Sequence, residues 1–191
     1  MSELSEPTRC GWATHHAEEA HYHDTVWGVP QYDPVTLFEY LTLEGAQAGL
    51  SWHTILLRKD GYRDAFDQWD IARIAAYTEA DVAARMLDTR IIRNRGKITS
   101  TVTNARIWQS LADPADYIWS NVGGVPIQTG AITMADVPGF TPVSDAMSKR
   151  MKKDGFRFVG TTICYAYMQA CGLVNDHVAD CWRHAPCTAL A

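Results

Sequence analysis

Nowhere in the 191-residue sequence do eighteen apolar residues run together, the length a helix needs to cross a bilayer. Its start, MSELSEPTRC, has no basic stretch leading into an apolar one. Neither a membrane span nor export is expected, and a cytosolic address follows by default. Alternating apolar and polar residues, the mark of half-buried strands, are scarce, and no internal repeat is visible. Cysteine is few and odd in number, at five, so a disulfide framework is not expected; in a reducing compartment such residues are buried, metal-bound or reactive. Charged residues make up only 20% against 47% hydrophobic, with a net charge of −5. That balance excludes global disorder and argues against a generic polyanion binder.

What is present reads as a helical domain with its own core. In DPVTLFEYLTLEGAQAGLSW, Asp33 suits a helix N-cap, Pro34 the first helical position and Gly49 the end. At 100° per residue, Leu37, Leu41, Glu44 and Ala48 fall within about 60° of arc, so a glutamate stands in an apolar stripe. Thr78 can cap TEADVAARML, DTRIIRNRG makes a connector, and KITSTVTNARIWQSL forms a second helix. The prolines and glycines between 112 and 145 predict loops with short helices. Ser144 can cap DAMSKRMKKD, and TTICYAYMQACGL is apolar almost all round, a buried helix in which Cys164 and Cys171 are core thiols. The fold class is all-α.

Two features point to chemistry. Ten of the seventeen positive charges lie in RIIRNRGKITSTVTNAR (90–106) and KRMKKDGFR (149–157), either two solvated faces or a surface for a polyanion. Cys10, His23, His177 and Cys181 together would make a closed Cys2His2 zinc set, which is structural because it leaves no position for water. The four-residue spacing of His177 and Cys181 places both on one side of a helical turn. Spacing alone leaves His15, His16, His21, His184 and Cys187 as competitors.

The segments CGW (10–12), YHDTVWGVP (22–30), LFEYLTLEGAQAGLSW (37–52), IIRNRGKI (91–98), SDAMSK (144–149) and FVGTTICYAYMQACGLVNDHVADC (158–181) closely resemble the bacterial 3-methyladenine DNA glycosylase I family, in collinear order from about Cys10 to Cys181. The resemblance implies a helix-hairpin-helix glycosylase fold over 1–191. A zinc-tying and base-pocket part would come from about 10–30 and 155–185, the helix-hairpin-helix part from about 31–154, and flexible tails from 1–8 and 186–191. One structural zinc ion would be held by Cys10, His23, His177 and Cys181. The activity implied is hydrolysis of the N-glycosidic bond of 3-methyladenine in double-stranded alkylated DNA, by a cytoplasmic monomer that releases the free base and leaves an abasic site. A noncatalytic damage-binding module and a bifunctional glycosylase-lyase are the alternatives.

The resemblance carries a base pocket onto Trp12, Tyr22, Trp27, Glu44 and Trp52, where aromatic rings stack on an extruded base and Glu44 is the carboxylate that favours a cationic one. Its other reading is a buried carboxylate paired to Arg or Lys. Gln47, Gly49 and Leu50 would form the DNA wedge, and Arg95, Gly96 and Lys97 would meet phosphate at the hairpin. No aspartate after the hairpin can be named for stabilising a sugar cation. The pattern breaks at Glu19, where the family commonly has tyrosine; His21 is the residue placed to compensate.

Overall fold

The computed structural model describes residues 6–191, so the expected tail at 1–8 lies outside the described residues over its first five positions. Its centre is helix α2 (Pro34–Gln47), entered after α1 (Ala17–Thr25). Asp33 caps α2 by accepting a hydrogen bond from the Thr36 amide, with Pro34 in the first turn, a cap of about 1 kcal/mol. The helix stops where Ala48 leaves helical geometry and Gly49 takes a positive φ of 78°. Every residue from Leu37 to Ala46 is buried. The expected apolar stripe is therefore an incomplete description: α2 is enclosed on all sides, and its polar residues Glu39, Thr42 and Glu44 are as buried as its leucines.

Around α2 pack α3 (Trp52–Leu56), α7 (Arg95–Ser110), α8 (Pro114–Trp119) and α10 (Thr161–Ala170). Short helices α4 (Lys59–Ala65), α5 (Ile71–Ala75) and α6 (Glu79–Arg85) precede α7, and α5 and α6 lean on it. Thr78 and Asp81 form a reciprocal capping box on α6, and the connector at residues 86–94 leads into α7, capped by Asn94. On the far side α9 (Pro142–Lys153) lies against α10. It starts earlier than Ser144 suggested: Thr141 is the cap, and Ser144 is the third residue that bonds back to it. A Ser three residues after a Thr-Pro step fits either role locally, and the proline at the first turn decides it.

Mostly helical, the chain also pairs two-residue strands, β1 (Ile127–Gln128) and β2 (Val174–Asn175), in parallel. At the turn between α10 and β2, Gly172 has φ 70° and lies so close to the backbone of Val29 and Pro30 that a side chain has no room. The chain closes with α11 (His184–Thr188), which buries Cys187. The expected tail at 186–191 is thus packed over its first part, because one apolar thiol on a single turn is enough to dock it. Cys164 and Cys171 are core thiols, as their helix suggested.

Candidate active site

Glu44 projects from the last turns of α2 into a cavity of about 360 Å³. Trp12, Tyr22, Trp27 and Trp52 all line it, so the five residues expected at a base pocket do meet, with Gln47 beside them. Tyr22 comes from α1 and Trp52 from the first residue of α3, their rings 5.1 Å apart; Trp12 and Trp27 meet edge to face at 5.2 Å. Edge-to-face contacts fix such rings against one another. The opening leaves one slot with aromatic walls and a carboxyl.

Two glutamates on α2 are buried, and their surroundings differ. Glu39 receives Arg63 at 3.0 Å and Lys59 at 3.6 Å. Glu44 has no ion pair, and its Oε2 has no hydrogen-bond partner among the described residues. The paired-carboxylate reading thus belongs to Glu39, and Glu44 remains available to a ligand. Without compensation, burial pushes the Glu44 carboxyl from 4.5 up to about 8. Burial thus favours the neutral form of Glu44 while no cation stands beside it. A cation entering the slot supplies the missing counter-charge and draws the proton off.

Sequence reasoning missed part of the wall. Met134, Val137 and Pro138 reach the cavity from a glycine- and proline-rich loop, and Ala166 and Gln169 from α10. The loop has no periodicity to mark its inward side. Glu19 lines the rim, whereas His21 faces a different surface with Lys59 and Arg63. The compensation expected from His21 is not there: on α1, residues two apart point to different faces.

Beside the cavity, Cys10, His23, His177 and Cys181 are all buried and their donor atoms lie within 4.8 Å of one another. Cys181 Sγ is 3.4 Å from His23 Nε2 and from His177 Nδ1, and Cys10 Sγ is 3.7 Å from His177 Nδ1. In a tetrahedron with Zn–S of about 2.3 Å and Zn–N of about 2.05 Å, sulfur and nitrogen lie about 3.6 Å apart. The donor set fits that ion. Each imidazole is oriented by its other nitrogen: His23 Nδ1 meets Asp24 at 2.8 Å, and His177 Nε2 meets the Trp27 carbonyl at 3.0 Å. Burial works against ionisation of Asp24, but bonds from Arg9, His23 and Trp182 outweigh it and hold the carboxyl at about 2. The Cys10 and Cys181 thiols lie close together, and their interaction lowers the Cys181 pKa and raises that of Cys10. His177 and Cys181 do not share a helical turn, as their spacing suggested; they stand on a loop between β2 and α11. The four-residue spacing works through a turn in which the Cys181 amide bonds to the Val178 carbonyl. Gly28, at φ 76°, lets the His177 ring approach to 3.0 Å of where a side chain would begin.

The basic stretch is less free than its sequence implies. Arg90 pairs with Asp64 and Asp88, Arg95 with Glu79, and Arg106 donates to the carbonyls of Ala75 and Tyr77. Lys97 Nζ donates to the carbonyls of Ala46 and Ala48 at 2.8 and 2.7 Å. It caps the C-terminal end of α2 instead of presenting a free charge to phosphate, a favourable place for a cation at the negative pole of the helix. Gly96 sits in the first turn of α7 and not in a hairpin loop. Leu50, 40% exposed, follows Gly49 on the outside of the α2–α3 corner, with Gln47 facing the cavity.

The methyladenine glycosylase family model matches residues 12–184. DNA-3-methyladenine glycosylase 1 of Escherichia coli strain K12 is 49% identical over 177 residues, covering 91% of this chain and 95% of that protein. A crystal structure of a 3-methyladenine DNA glycosylase I superposes with a TM-score of 0.91 at 49% identity, covering 93% of this chain and all of that one. The Staphylococcus aureus 3-methyladenine DNA glycosylase I, whose structure describes 3-methyladenine recognition, superposes with a TM-score of 0.87 at 32% identity, covering 91% of this chain and 95% of that one. With nearly its whole length matched, and an aromatic slot closed by one unpaired glutamate, the chain belongs to the methyladenine glycosylase family.

Proposed function

We propose that the chain is a monofunctional DNA glycosylase that hydrolyses the N-glycosidic bond of 3-methyladenine in double-stranded alkylated DNA, releasing the free base and leaving an abasic site. The observation that carries this reading is the unpartnered carboxyl of Glu44 in a cavity of about 360 Å³ walled by Trp12, Tyr22, Trp27 and Trp52. Methylation at N3 gives adenine a positive charge and weakens its bond to the sugar, so the base departs neutral with little need of a proton. A cationic base offers hydrogen-bond donors and the counter-charge that Glu44 lacks. Charge-assisted bonds of this kind are among the stronger ones. Because the charge moves from base to sugar in the transition state, part of that attraction acts already in the ground state and serves selection more than rate.

The DNA would enter along the α2–α3 corner, with Leu50 filling the gap left by the extruded nucleotide. Residues 86–94 between α6 and α7 would be the hairpin of a helix-hairpin-helix unit, with Arg95 and the amides at the start of α7 facing phosphate. The four sulfur and nitrogen donors would hold one zinc ion, whose chemistry is structural because no ligand position remains for water. The part formed by 10–30 and 155–185 is then tied across the chain ends, and the part from 31 to 154 carries the DNA face.

Purified protein incubated with methylated DNA should release 3-methyladenine, and borohydride should trap no covalent adduct on abasic DNA. No release of the base would favour a noncatalytic damage-binding module, and a trapped adduct would favour a glycosylase-lyase. Glu44→Gln keeps an acceptor oxygen and removes the ionisable group. It should weaken binding of the cationic base by about 1 to 3 kcal/mol, with some excision persisting in single turnovers at saturating protein.

A further inference from the structure

Phe158 belongs neither to the core nor to the walls of the base cavity, yet its backbone is held in a costly conformation. Apart from the run Asp67, Gln68 and Trp69, it is the one non-glycine residue with a positive φ among the described residues, at 55°. A bulky side chain rarely adopts that region. Both of its neighbours are clamped. The Arg157 amide donates to Asn104 Oδ1 at 2.8 Å and the Arg157 carbonyl accepts from Asn104 Nδ2 at 3.0 Å, while the Val159 carbonyl accepts from the Ser148 hydroxyl at 2.6 Å. Asn104 and Ser148 are themselves buried, on α7 and α9. Strained residues held in place by their surroundings in this way cluster at functional sites.

The clamp fixes where the ring lies. A side chain begun at Gly45, near the end of α2, would meet Phe158 Cβ at 3.3 Å, and one begun at Gly96, in the first turn of α7, would meet the ring at 3.8 Å. The ring thus lies across the junction of α2 and α7, which Lys97 also bridges, and it remains 37% exposed. A few residues further on, α2 ends at the corner that carries Leu50. The same segment brings charge: Lys149, Lys152, Lys153 and Arg157 are exposed and, unlike Arg90 and Arg95, make no ion pair among the described residues. An exposed ring beside free cations suits a polyanion with apolar faces, which is nucleic acid, and apolar side chains inserted between base steps open a duplex. We propose that Phe158 is a second apolar wedge, which enters the opened base stack beside the extruded nucleotide. That role rests on the glycosylase reading.

The test measures the affinity of the full chain for a duplex carrying a tetrahydrofuran abasic analogue, over a range of salt. Phe158→Gly relieves the backbone as it removes the ring, so it should melt close to the wild type; Phe158→Asn, which also tolerates a positive φ, is the second variant. Both should bind the analogue about tenfold more weakly, and Phe158→Leu should keep most of the affinity because it retains an apolar wedge. The salt dependence should be unchanged in all three, since no phosphate contact is lost. Wild-type affinity in Phe158→Gly and Phe158→Asn overturns the proposal, as does an equal loss in Phe158→Leu or a loss that comes with a lower salt slope. On an intact duplex the loss should be smaller, because the ring enters only where the stack is open, and an equal loss there overturns that placement. A wild-type chain that binds the analogue and releases no 3-methyladenine from methylated DNA counts against the glycosylase reading alone, and the affinities still decide Phe158.

Discussion

Replacing Glu44 by glutamine should make the protein more stable, by an amount that grows with pH. The carboxyl is buried, 4% exposed, and faces no Lys or Arg. Raising it from 4.5 to about 8, at about 1.4 kcal/mol per pH unit, corresponds to about 5 kcal/mol by which burial disfavours the ionised form. Below pH 4.5 the group is protonated in both folded and unfolded chains and contributes nothing. Between 4.5 and 8 the folded chain keeps a proton that the unfolded chain has lost, so stability falls as pH rises. Above 8 the folded form ionises as well, and the penalty levels off.

Glutamine has no such titration. The stability of Glu44→Gln minus that of the wild type should rise by about 3 to 4 kcal/mol from pH 5 to pH 8 and then flatten. Urea unfolding of both proteins across that range measures it, and taking the difference removes the titration of every other group. A difference that stays constant with pH would show that Glu44 is ionised and compensated in the free protein. The account of an unpaired carboxyl awaiting a cation would then be refuted.

Cys181→Ser should lower bound zinc at the buried site and cost far more than the roughly 0.5 kcal/mol of an ordinary surface change; full zinc in both Cys181→Ser and Cys10→Ser would remove the assignment. Lys97→Ala should destabilise by about 2 kcal/mol, since two carbonyls at the end of α2 lose a charged donor. Because that ammonium is engaged inside the protein, the salt dependence of DNA binding should hardly change, and a slope lower by about one would show that Lys97 turns to phosphate on binding. Gly172→Ala should cost more than about 3 kcal/mol, because it combines a positive φ with overlap on Val29 and Pro30; a melting temperature near that of the wild type would contradict this packing.

Much of this arrangement was legible in the sequence wherever one local rule decides an element. Asp33 with Pro34, Thr78 at the head of TEADVAARML and the apolar run at 161–170 each announce a helix that the structure contains. The aromatic cluster with Glu44 and the Cys2His2 set came from long motifs, because ligands 158 residues apart, such as His23 and Cys181, leave no local signature. What stayed hidden depends on tertiary contact. Lys97 reads as a hairpin charge until the carbonyls of Ala46 and Ala48 are found beside it. Met134 and Val137 sit in a loop with no period, and only packing tells which side faces inward. Nothing local separates Glu39 from Glu44 either; the difference is that Lys59 and Arg63 reach one and not the other.

The base cavity and the cysteine-histidine knot are built from alternating residues of the same segments. Cys10 is a donor and Trp12 a wall; Tyr22 is a wall and His23 a donor; Trp27 is a wall whose carbonyl meets His177. The ring of His23 lies 5.6 Å from that of Trp12 and stacks on Trp27 at 6.0 Å. A slot that recognises a flat base needs walls fixed to a fraction of an ångström, yet Trp12 stands in a single short turn and Trp27 in the bend after α1, neither held by a long helix of its own. The knot supplies that rigidity. Glu44, by contrast, is fixed by α2, whose cap and enclosure owe nothing to the four donors. Loss of the zinc proposed to sit among these donors would therefore act on stacking before it acts on the carboxyl, and the protein would retain its charge recognition longer than its grip on the face of the base.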